Sequence, residues 1–157
     1  MNRLARPIIA TALLALLVMS MVIARGGDDF AAVNHHTFNV VGVAADSSVQ
    51  LDNGEGVQLL GVADPEPAAR EWLIGRLANQ TVTLLLEPPQ TRDDGRRIRA
   101  SVFVGNENIN VELIKAGLAY ADRREKTIFD GLLDPAEADA RKEKRGLWQH
   151  GGNQVRN

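Results

Sequence analysis

The 157-residue chain predicts an α+β domain, mainly β, entered through an apolar N-terminal segment. Three observations carry this. Five short apolar or β-branched runs, at 38–44, 49–51, 57–62, 81–86 and 97–104, are separated by turn residues in the manner of strands. Three stretches, 67–79, 110–116 and one opening at Asp134, carry helical spacing or capping signals. The length remaining after the N-terminal segment suits one domain with one core.

The N-terminal segment is apolar from Ile8 to Ala24 apart from Thr11 and Ser20, with Arg3 and Arg6 before it and Arg25 after it. No polar stripe exists for it to show to water, so membrane insertion is the expectation. As a helix it would span about 26 Å, slightly less than a ~30 Å hydrocarbon layer. Small residues at Val22 and Ala24 fit a cleaved signal peptide; the long uninterrupted run fits a retained anchor. Either way Arg3 and Arg6, held on the cytoplasmic side, favour an extracytoplasmic domain.

Residues 26–37 read as a polar linker in which His35 and His36, as neighbours, are poorly placed to share a metal. Phe38 to Ala44 is apolar on both faces and reads as a central strand. Val49 to Leu51, the turn Asp52-Asn53-Gly54 and Val57 to Val62 form a hairpin. Pro67 to Asn79 spaces Ala69, Trp72, Leu73 and Leu77 along one helix side, which makes Trp72 a core residue. In 97–104 the pleat puts Ile98, Ala100, Val102 and Val104 inward and Arg97, Arg99 and Ser101 outward. Asn110 is a cap for a helix closed by Gly117, and Asp134, Pro135 and Glu137 form a capping box for the last helix. That helix ends at Gly146, Leu147 and Trp148 fold back, and 149–157 reads as a disordered tail.

Eighteen basic residues face 20 acidic ones, but three of the basic residues lie in the first 25 positions, which hold no acid. The remainder carries 15 against 20, a net of −5, which argues against strong sequence-independent binding to nucleic acid. The absence of cysteine removes disulfides and thiolate metal sites. On this background the arginines at 92, 96, 97 and 99 read as a solvated hairpin with Asp93 and Asp94, with a groove for a nucleic-acid backbone as the alternative, and the basic end of the last helix as a complement to its dipole.

Four stretches carry a resemblance. They are Gln50-Leu51-Asp52-Asn53-Gly54, the run VQLLGVADPE from Val57 to Glu66, the turn Asp94-Gly95-Arg96, and AEADARKEKRGLW ending at Trp148. In this order and at these separations they resemble the staphylococcal-nuclease (thermonuclease-like) family from about Phe38 to Trp148. The resemblance implies a five-stranded OB-fold barrel with about three helices. It also implies phosphodiester hydrolysis of DNA or RNA with calcium, two arginines and a glutamate base.

Carried over residue by residue, Glu66 matches the base and Arg96 the second phosphate arginine. Each also has a plain structural reading, Glu66 as a helix cap and Arg96 as an exposed turn residue. Three positions depart from the family pattern. The second aspartate of the family's acidic loop is Ser47, the strand arginine that contacts phosphate is Gln58, and the aspartate before the Pro-Glu pair is Ala63. Asp46 and Asp64 stand one place away as substitute ligands, although a one-residue slip at Asp46 would remove Val49 and Leu51 from the apolar positions. A neutral Gln58 still hydrogen-bonds an oxygen but offsets no charge in a transition state, a loss of the kind worth roughly a hundredfold in rate.

The expectation is therefore an exported or membrane-anchored thermonuclease-like domain, catalytically impaired and acting as a binding or scaffold module. Its expected partners are single-stranded nucleic acid or a protein, with the membrane engaged through residues 8–24 if the leader is kept. Two alternatives stand beside it: a calcium-dependent nuclease that uses Asp46 or Asp64, and an oligonucleotide-binding barrel without catalysis.

Overall fold

The computed structural model describes residues 34–149 except Gln90 and Glu125. The apolar segment, most of the expected linker and nearly all of the expected tail lie outside those residues. Among the described residues no helix is long and apolar enough to cross a membrane.

In chain order the elements are β1 (Asn34–Val43), β2 (Val49–Leu51), β3 (Gly56–Leu59), β4 (Val62–Ala63), α1 (Pro67–Leu77), β5 (Thr81–Leu86) and β6 (Ile98–Val104). After these come β7 (Glu107–Asn108), α2 (Ile109–Lys115), β8 (Tyr120–Ala121), α3 (Asp130–Lys142) and a 3-10 turn at Gly146–Trp148. Antiparallel pairing runs β3-β2-β1-β5-β6, and a parallel pairing of β3 with β6 closes the barrel. Closure leaves these five strands no free sheet edge along that seam. The fold is the expected α+β one, an OB-like barrel with three helices among the described residues.

Period-2 alternation fills the barrel. Val49 and Leu51, Val57 and Leu59, Val82 and Leu84, and Ala100 and Val102 are all buried. α1 adds Ala69, Leu73 and Leu77; α2 adds Ile109, Leu113 and Ile114; α3 adds Leu133 and Ala136. Trp72 packs partly buried against this core as expected, with the Arg76 guanidinium 4.8 Å above its ring.

Several elements differ from the sequence expectation. β1 begins at Asn34, so His35 and His36 belong to a strand paired with Leu85 and Leu84 and not to a linker. The run 57–62 is two strands: Gly61, at φ +74°, breaks it, and the chain leaves β3 for the β4–β8 pair. Ser101 faces out of the barrel but is buried, paired with buried Leu85 on a face that also carries Phe103. That face is covered from outside by the segment before α3, whose Phe129 ring lies 5.7 Å from Phe103. Ile98 and Val104 are only half-buried at the strand ends.

Two caps are also elsewhere. Asn108 caps α2, its side chain accepting from the backbone N–H of Asn110 and Val111. Asn110 turns inward: it accepts from Val102 N–H at 3.0 Å and donates to the carbonyls of Leu60 at 2.8 Å and Ala100 at 3.2 Å. α3 starts at Asp130, so Pro135 lies inside it and no capping box forms at Asp134. The added turn buries Leu133 against Gly61, a gain in packing that outweighs the missing proline hydrogen bond. Leu147 and Trp148 do fold back: Leu147 N–H donates to the Gly117 carbonyl and Trp148 meets Tyr120 edge-on at 5.4 Å.

Candidate functional site

Of the sequence-predicted positions, Gln58 lies on β3 and Asp46, Ser47 and Arg96 on the loops that flank β2 and β6, and the parallel seam sets Gln58 against β6. Gln58 stands opposite Arg99 in register. Two residues along the same faces, Gly56 sits beside Arg97: a Cβ on Gly56 would lie 3.5 Å from Arg97 Cγ and 3.3 Å from Gln50 Nε2. The bare glycine gives the arginine stem room to cross β3 toward the β1–β2 loop.

That loop is tightly bonded. Ala44 N–H donates to Ser48 O at 2.8 Å and Ser47 N–H returns to Ala44 O at 3.0 Å, with Ser47 buried at φ +65°. Asp46 accepts from the Ser48 hydroxyl at 2.7 Å and the Ser48 N–H at 3.0 Å on one oxygen; Arg97 donates to its other oxygen. These bonds, the Ser48 hydroxyl first, hold the Asp46 carboxyl below the ordinary range. Gln50 Nε2 extends the network to Ser48 Oγ at 3.1 Å.

Arg97 also grips Asp93, donating Nε at 2.6 Å and its backbone N–H at 2.8 Å. Burial works to raise the Asp93 pKa and is outweighed by these bonds, so the net shift is downward. At the tip of the same hairpin Arg96 is exposed, in the left-handed region at φ +66°. Its carbonyl accepts from Arg92, which pairs with Glu55 through two bonds of 3.0 Å. Arg96 contributes to the lowered pKa of Glu55, behind the direct bond from Arg92.

The β4–α1 turn is a second locus. Ala63 is buried opposite Tyr120, Asp64 is exposed at φ +46°, and Glu66 is half-buried at the N-cap of α1. Glu66 anchors the turn with its backbone, donating to Leu118 O at 2.8 Å, while its carboxylate makes no capping bond. At the other end of the β4–β8 pair Asp122 sets its N–H on Gly61 O at 2.9 Å and its carboxylate on Arg124 at 2.7 and 2.9 Å. The Arg124 bond is the main cause of the lowered Asp122 pKa, with Arg99 adding to it. Asp64 acts on Arg124 in turn.

The structure thus groups Gln58 with Arg99, places Asp122 and Arg124 within electrostatic reach, and joins Asp46 to Asp93 through Arg97. Gln58 Oε1 is buried without a hydrogen-bond partner among the described residues. Arg97, Arg99, Asp93, Asp122 and Arg124 were not legible as one constellation. Alternation puts Arg97 and Arg99 on one outward face and Asp93 lies four residues from Arg97, but Asp46 and Asp122 come from loops far away in sequence. Among the described residues, no three acidic or histidine side chains converge as a metal-binding group.

No curated protein matches the chain. The profile of the staphylococcal nuclease homologue family matches it over residues 56–150. That match spans β3 to the C-terminal turn, which includes the parallel seam, the β4–α1 turn and all three helices, and it places this chain in the staphylococcal nuclease homologue family.

Proposed function

We propose that this family member is an exported or membrane-anchored module whose barrel binds a ligand and does not cut phosphodiesters at an appreciable rate. The carrying observation is the state of Asp46, whose two oxygens are taken by Ser48 and Arg97. Calcium, the ion the family uses, needs several carboxylate oxygens. Here Ser47 and Ala63 stand at the two family aspartate positions, and Ala63 offers no oxygen from its side chain. Asp64 points from an exposed turn among charges that include Arg124. The donor set does not fit the ion.

Glu66 remains in place to accept a proton, and Arg96 and Arg99 to meet an anionic oxygen. A base and one or two arginines without the ion leave most of the transition-state charge uncompensated. What remains suits weak, salt-sensitive capture of single-stranded nucleic acid along the Gln58–Arg99 face, against a net acidic background. The location rests on the apolar segment Ile8–Ala24.

Denatured DNA incubated with calcium and a fragment beginning at Asn34 tests the reading. The expected result is no cleavage above that of the Glu66→Gln variant, with binding that weakens as salt rises. Robust calcium-dependent cutting that is lost in Glu66→Gln or Asp64→Ala overturns it.

A further inference from the structure

One side chain ties the 44–48 loop to the hairpin before β6. Arg97 reaches Asp46 in the loop and Asp93 in the hairpin, using Nη1 for one and Nε with the backbone N–H for the other. With Ser48 on the remaining oxygen of Asp46, all four carboxylate oxygens are engaged. The arginine side chain is only about a third exposed and lies over the bare Gly56. A guanidinium offers several donors in a fixed fork, so it can bridge two carboxylates as a bound cation does.

We propose that Arg97 is the resident counter-ion of this barrel, a cation built into the chain that orders the 44–48 loop without a metal. The inference rests on the proposed loss of the metal site and adds how the loop is held in its absence. Ser47 at φ +65° gives the loop a strained backbone that needs an external tie, and Arg97 supplies it from across the seam. The ordinary alternative is a surface ion pair that contributes almost nothing to loop order.

Hydrogen exchange on the full chain separates the two. The amides of Ser47 and Ser48 in Arg97→Gln should exchange at least about tenfold faster, relative to Val82 and Leu84 in β5, than in the unsubstituted chain. Arg97→Lys, which keeps the charge and loses the fork, should fall between them. In the unsubstituted chain, millimolar calcium or a chelator should leave these rates unchanged. Equal rates in Arg97→Gln, equal acceleration of loop and β5, or slowing of the loop by calcium overturns the proposal. Calcium-dependent DNA cutting without any calcium effect on loop exchange would instead count against the proposed function alone.

Discussion

At the scale of single residues, Asn110 shows how a correct residue type can be assigned the wrong task. Asn before a helical run is a capping signal, and two asparagines, Asn108 and Asn110, compete for it. Asn108 wins because β7 hands the chain to α2 at that point, and Asn110 is left 1% exposed inside the fold. There it serves Val102 N–H, the Leu60 carbonyl and the Ala100 carbonyl, the last of which also accepts from Leu60 N–H. Asn110→Ala should therefore cost about 3 kcal/mol in urea unfolding, from several buried groups left unsatisfied. A loss below about 1 kcal/mol would mean that water replaces the amide. Asn110→Asp should be at least as costly, since a carboxylate keeps the acceptor and loses both donors.

At the scale of elements, the strands and helices were largely readable and their junctions were not. Alternation at Val49, Leu51, Val57 and Leu59 and the apolar stripe of 67–77 follow from local periodicity, and the structure keeps them. The start of α3 does not follow, because Pro135 and Glu137 imitate a first turn while Leu133 is drawn under Gly61 by tertiary packing. Glu137, expected at a cap, is instead buried and accepts from Ala121 N–H, Arg123 and Arg141, joining α3 to β8. The charge constellation was hidden for a related reason: Arg97 reaches Asp46 and Arg99 acts on Asp122 between segments far apart in sequence, which no local pattern reports.

Two glycines that end helical runs in the sequence turn out to face each other. A Cβ on Gly117 would strike the Arg145 carbonyl, and one on Gly146 the Gly117 carbonyl, both with φ positive. Backbone cannot move aside as a side-chain tip can. Gly117→Ala should lower stability by about 2 kcal/mol or more and perturb the near-UV signal of the Tyr120–Trp148 contact. Gly75 in α1 is the contrasting case, with open space around it, and Gly75→Ala should raise stability by about 0.5–1 kcal/mol. Equal effects at the two sites would refute the argument from close approach.

At the scale of the whole molecule, a net acidic domain holds its arginines by surrounding them with carboxylates, and this makes it acid-sensitive in a defined window. Asp46, Asp93 and Asp122 all have carboxyls held below their ordinary range, through Ser48 and Arg97, through Arg97, and through Arg124 respectively. A carboxyl whose pKa is lower folded than unfolded adds stability that is fully present above its unfolded value. It is lost as pH falls through the folded one. The unfolded value for aspartate is about 3.9, so the urea midpoint should stay level from neutral pH to about 5 and drop below about 4. Asp93→Asn removes one titrating group that both oxygens tie to Arg97. Its midpoint should be lower than that of the unsubstituted chain at pH 7, and the two curves should converge as acid protonates Asp93 in the latter. Parallel curves down to the acid limit would show that Asp93 stays out of the linkage and that the acid loss arises elsewhere in the molecule.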